Sequence, residues 1–178
     1  MALKHCTGVV VHHTNSHDVS IKEVEQWHKA RDWPHVGYHY LIRSDGMREV
    51  GCPITEEGIH ARGRNHTHIG VALTGSFSGD PPNSKTLIEP TSRQLLSLKS
   101  LLESLCDEFK ISPLRIERHH SLCPGDRLPL EELIRGLHVK SNAVDSISKV
   151  KSHFIKAYEL LDEGQAEFRL GLDLMSKI

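Results

Sequence analysis

Short β-branched runs alternate with stretches of helical spacing along this chain, the pattern of an α/β domain. Val9, Val10 and Val11 form a buried-strand run that ends on His12 or His13. Ser20 and Glu23 stand at capping-box spacing, and Ile21, Val24, Trp27 and His28 follow at helical intervals, which predicts a helix over about 20–31. Tyr38 to Arg43 alternates as a strand, Ser44-Asp45-Gly46 is a turn signal, and Met47 to Val50 returns as the hairpin partner. Ile69 to Gly75 repeats the buried-strand pattern. Ser76 to Pro90 is rich in Pro, Gly and Ser and reads as a surface loop.

Thr91 and Gln94 make a second capping box ahead of Leu95, Leu98, Leu102, Leu105 and Phe109, predicting a helix over about 91–109. Ile111 to His120 runs through Pro113 into a short extended piece, Ser121 to Arg127 is a loop, and Pro129 opens a short helix that Gly136 stops. From Lys140 the motifs end, and Ile147, Val150, Phe154, Tyr158 and Leu161 form a simple amphipathic stripe. Residues 1–139 therefore read as the main domain and 140–178 as a mainly helical C-terminal extension. That extension either packs on a domain or partner or anchors a substrate, and its last alternation, Phe168 to Leu174, fits strand or helix equally.

The charge balance of 22 Lys+Arg against 23 Asp+Glu leaves no electrostatic footprint for nucleic acid. No apolar run is long enough to cross a bilayer, and the first residues lack the pattern of a signal peptide, so the expectation is a monomer without membrane insertion that stays in the compartment where it is made. Four scattered cysteines suit reduced thiols rather than a disulfide scaffold. The outlying figure is 14 histidines, which raises the prior for metal chemistry.

The chemistry gathers at two distant points, His12/His13 at the end of the first strand and His119-His120-Ser121-Leu122-Cys123-Pro124-Gly125 after the long helix. Imidazoles and a thiolate suit tetrahedral zinc, and three protein ligands leave a fourth position for water, the mark of a hydrolytic rather than a closed site. Spacing alone does not say which member of each histidine pair is the ligand.

These residues belong to a longer series: Val11-His12-His13-Thr14, Gln26-Trp27-His28-Lys29, Val36-Gly37-Tyr38-His39 through Ser44-Asp45-Gly46, His60-Ala61-Arg62-Gly63 with Asn65, Ile69-Gly70-Val71, then His119-His120 and Cys123-Pro124-Gly125. In order, over about residues 7–137, the series resembles the phage-lysozyme-type zinc N-acetylmuramoyl-L-alanine amidases, relatives of the peptidoglycan recognition proteins. The resemblance implies a central mixed β-sheet flanked by helices. It implies a Zn²⁺ enzyme acting on bacterial peptidoglycan, cleaving the amide between N-acetylmuramic acid and L-alanine of the stem peptide. Its ligands fall on His12, His119 and Cys123, its catalytic tyrosine on Tyr38, and substrate contacts on His60, Arg62 and Asn65, with Arg64 a further candidate for a stem-peptide carboxylate.

One departure stands out. The family carries a longer loop before its cysteine, with a Lys or Thr that assists the tetrahedral intermediate, whereas here only His120, Ser121 and Leu122 intervene. Arg118, His120 and Arg127 are the candidate substitutes. The shortened loop also makes a non-catalytic peptidoglycan-binding protein of the same fold the alternative. A third reading, a His/Asn metal nuclease built on His60 to His68, lacks the basic surface it needs. Among wall hydrolases, a chain without an export signal fits either a phage or prophage endolysin held in the cytoplasm until release or a cytosolic enzyme recycling wall fragments, and the sequence resembles the endolysin branch more closely.

Overall fold

The computed structural model describes residues 5–79 and 86–138, all within one compact unit that spans 1–139. The expected C-terminal extension, 140–178, lies outside the described residues.

Five strands form a mixed sheet: β1 (Gly8–His13), β2 (Tyr40–Ile42), β3 (Arg48–Val50), β4 (His68–Leu73) and β5 (Ile116–Arg118), ordered β3-β2-β4-β1-β5. Strands β1, β4 and β5 run parallel, as do β2 and β4, and only the β2–β3 hairpin is antiparallel. Among the described residues three α-helices accompany them: α1 (Ile21–Lys29), α2 (Ser92–Phe109) and α3 (Leu130–Arg135). This is the expected α/β class with helices flanking a mixed sheet.

Both predicted capping boxes are closed. The Ser20 hydroxyl accepts from the Glu23 N–H and Thr91 from that of Gln94, while Glu23 and Gln94 reach back to the cap N–H groups. Each satisfies donors that a helix start leaves orphaned.

The two-residue period of the strands sorts their side chains onto two faces. Val9, Val11, Ile69, Val71, Leu73 and Ile42 join Leu98, Leu102 and Leu105 of α2 in the larger core. On the opposite face Leu41 and Ala72 meet Val24 of α1, Val19 and Val36. All these side chains are buried, and each large one contributes about 1.5–3 kcal/mol. The same alternation sends His12 to the α1 face and His13 to the α2 face.

Two segments differ from expectation. The strand predicted from Tyr38 begins only at Tyr40, so Tyr38 and His39 belong to the loop that enters β2. The segment from Ser76 is not a surface loop at its start, since Ser76 and Phe77 are fully buried. Phe77 fills the core beneath His13, an apolar contact that a Gly- and Ser-rich neighbourhood conceals.

Candidate metal centre and active site

Strand register brings the first two donors together. In the parallel β1–β5 pair Val11 is level with Arg118, so the next residue of each strand, His12 and His119, emerge side by side; the His119 N–H donates to Val11 O at 3.3 Å. Their ring centroids are 4.6 Å apart. Cys123 returns to the same point through a tight turn in which His120 and Cys123 exchange both backbone hydrogen bonds, at 3.1 and 3.0 Å. Three intervening residues therefore suffice. The donor atoms of His12, His119 and Cys123 all lie within 4.8 Å of one another, with Cys123 Sγ 3.8 Å from His12 Nδ1.

A chain of hydrogen bonds fixes the His12 tautomer. His60 Nε2 lies 3.0 Å from His68 O and can only donate there, which leaves His60 Nδ1 as the acceptor for His12 Nε2–H at 3.1 Å. His12 Nδ1 then carries a lone pair aimed at the Cys123 sulfur and the space between the donors. A buried carbonyl at one end thus sets the protonation of a ring two steps away.

Electrostatics favour the same uncharged state. Burial pushes the His12 pKa far below its ordinary value, with His60 and His119 adding to the effect, and burial then His120 lower that of His119. Burial raises the Cys123 thiol, opposed by the His13 backbone N–H. Two neutral imidazoles and a thiol that a cation can deprotonate form a donor set suited to zinc. The residues fit the ion that the sequence implies.

Tyr38 flanks this set, its ring centroid 5.1 Å from that of His12. Burial and then Cys123 raise its pKa to about 12, so it remains a phenol, and its hydroxyl has no hydrogen-bond partner among the described residues. His28 holds the segment behind it: its ring packs on Trp33 and Tyr38, and its Nδ1 accepts the Gly37 N–H at 3.0 Å. Beside Cys123 a cavity of about 430 Å³ opens, lined by His13, Asn15, Ser78, His120, Leu122 and the cysteine itself.

The expected substrate contacts separate. His60 is buried with both ring nitrogens engaged, one with His12 and the other with His68 O. Asn65 uses its Oδ1 to accept the N–H groups of His60 and Ala61 at 2.9 and 2.7 Å, clasping the turn that carries His60. Arg64 is also committed, to Glu117 and to His119 O, each at 2.7 Å, and so fixes the backbone of a candidate metal donor. Arg62 is exposed and unpaired among the described residues.

The three candidate substitutes for the missing basic group separate likewise. Arg118 grips both carboxylate oxygens of Glu131 and the carbonyls of Gly125 and Leu128. Arg127 turns to Glu89 and Ile88 O. Only His120 lines the cavity, exposed, with its ring against that of His119 and its Nδ1 accepting the Leu122 N–H at 3.2 Å.

The family described as N-acetylmuramoyl-L-alanine amidase matches residues 3–126. The endolysin of Enterobacteria phage T3 is 40% identical over 109 residues, which cover 61% of this chain and 69% of that protein. The endolysin of Escherichia phage T7 is 39% identical over the same shares. Among solved structures, the N-acetylmuramoyl-L-alanine amidase LysC from Clostridium intestinale superposes with a TM-score of 0.68 at 31% identity, covering 78% of this chain and 89% of its own.

Proposed function

The chain belongs to the N-acetylmuramoyl-L-alanine amidase family, and from that premise we propose how its residues divide the work. It is a peptidoglycan hydrolase of the phage endolysin kind, cleaving the amide that joins N-acetylmuramic acid to L-alanine of the stem peptide. Our reading makes His12, His119 and Cys123 the ligands and Zn²⁺ the ion. Zinc in such a set supplies Lewis acidity, which polarises an amide carbonyl and acidifies water.

Around it the chain does the rest. His60 presents the His12 lone pair, and Arg64 holds the His119 backbone in place. Tyr38 donates a hydrogen bond from its phenol to the carbonyl oxygen as that oxygen gains negative charge. His120 is the second donor: with Nδ1 accepting from Leu122, its ring N–H is on Nε2. Arg62 meets a carboxylate of the stem peptide with its guanidinium fork. Residues 1–139 are the catalytic domain, a monomer held in the host or bacterial cytoplasm until it reaches the wall, and 140–178 are its C-terminal extension in sequence.

The observation that carries this reading is the convergence within 4.8 Å of three donors drawn from distant parts of the chain. The test is digestion of purified sacculi by zinc-loaded protein. Stem peptides with a free L-alanine amine, released from intact glycan strands, are the expected products. Sacculus binding without release would make the protein a peptidoglycan-binding module instead.

A further inference from the structure

A second group of metal donors lies apart from His12. His35, Cys52 and Glu56 each offer one ligand atom, and these atoms also lie within 4.8 Å of one another. His35 stands on the loop between α1 and β2, and Cys52 and Glu56 on the turn that follows β3. Backbone bonds lace the two loops together: Cys52 N–H donates to Tyr38 O at 2.8 Å, Gly51 N–H to His39 O at 3.0 Å and Ile59 N–H to Gly37 O at 3.0 Å. The donors are thus held by framework rather than gathered by chance on mobile side chains.

Their environment is graded. Cys52 is 1% exposed, His35 is half-buried and Glu56 is exposed, so the group is closed at its sulfur end and open to solvent at its carboxylate. The His35 Nδ1–H donates to Val36 O at 2.8 Å, leaving Nε2 with the lone pair. Ligating histidines are commonly oriented in this way, their other N–H given to a carbonyl. The Cys52 thiol lies 3.5 to 3.9 Å from the carbonyls of Pro53, Glu56 and Glu57, and burial, then Glu56, pushes its pKa up to about 11. These carbonyls hold the thiol hydrogen until a cation displaces it; the sulfur lone pair then goes to the metal and the proton to solvent.

We propose that His35, Cys52 and Glu56 form a second divalent-cation site of the zinc class, with water completing the coordination. Nitrogen, sulfur and one carboxylate suit zinc and its borderline neighbours, and exclude the all-oxygen shells of calcium and magnesium. A thiolate and a carboxylate together neutralise the dication. Its occupation ties the 52–56 turn to the segment that presents Tyr38.

The full-length chain, free of added histidines, is loaded with Zn²⁺, washed with a competing chelator and analysed for metal. Cobalt replacement follows the thiolate-to-metal charge-transfer absorption in parallel. The expected result is two ions per chain, one in Cys123→Ser, one in His35→Ala, and almost none in the double variant. Cys52 is buried and its replacement carries a folding risk, so Glu56→Gln serves as the surface variant, weakening the second ion at least about tenfold while the first stays. No ion retained by folded Cys123→Ser overturns the proposal, as does a retained ion indifferent to both His35→Ala and Glu56→Gln.

Discussion

His12 and His60 meet edge to face, their ring planes 87° apart and Nε2 of the first 3.1 Å from Nδ1 of the second. Gly70 makes room for this pairing: a methyl group at its Cβ position would stand 2.6 Å from the His60 ring. Replacing His60 with Ala is expected to lower zinc affinity about 10- to 100-fold, because His12 then loses the partner that fixes its tautomer. Gly70→Ala should reproduce the loss by displacing the ring. Competition with a chromogenic chelator measures both, and unchanged affinity in the two variants would remove His60 from this role.

The donor set makes a plainer prediction. His12→Ala, His119→Ala and Cys123→Ser should each cost most of the zinc that survives chelator at the first site. Arg64→Ala should weaken it less, since the His119 carbonyl loses its guanidinium but the ring remains. Metal analysis of the four variants orders them, and full retention in all three donor variants would displace the site.

Tyr38→Phe separates binding from turnover. The ring still fills its place beside His12 and His28, so zinc should stay bound, while loss of one donor to a developing oxyanion costs on the order of 10²- to 10³-fold in rate. His120→Ala should cost less, being more exposed. The release of stem peptides per unit of bound zinc is the measurement, and near-normal turnover by Tyr38→Phe would transfer the role elsewhere.

Acid should destabilise the chelator-treated protein in two windows. Burial, with Arg31 and His35 adding, lowers His28 from 6.5 to about 4, so the unfolded chain binds more protons between those values and stability falls as pH drops through them, by about 2–3 kcal/mol. For Asp18, burial opposes ionisation, but hydrogen bonds from Arg43, Ser44 and Thr74 outweigh it and bring the carboxyl from 3.8 to about 2. Its contribution, about 1–2 kcal/mol, is present above pH 4 and lost below. Denaturant titrations across pH 2–8 should show both slopes, and Asp18→Asn should flatten only the lower one.

Much of this was legible in the chain. Val9 to Val11, the two capping boxes and the leucine stripe of α2 are local signals whose periods match the elements they form, and the motif series singles out His12, His119 and Cys123, whose donor atoms the fold brings within 4.8 Å of one another. The roles of His60, Asn65 and Arg64 were not legible, because each is decided by a partner far along the chain. His60 bonds across 48 residues to His12 and Arg64 across 55 to His119. A histidine in a polar, loop-like stretch gives no sign that it will be buried. Phe77 was hidden for the same reason, its neighbours being turn formers while its contact, His13, lies 64 residues earlier.

The side-by-side emergence of His12 and His119 has a kinetic meaning. Their strands are parallel neighbours from opposite ends of the described chain, and the sulfur that joins them lies 111 residues from His12. Closing such distant contacts is slow, and no fragment of the sequence can assemble the donor set in advance. An ion held by these three residues, as proposed, would therefore meet a finished register and act as a latch on it, stabilising the folded chain by mass action. Stripping the metal should hasten unfolding far more than it slows refolding, so the chain should fold before it is armed and persist because it is.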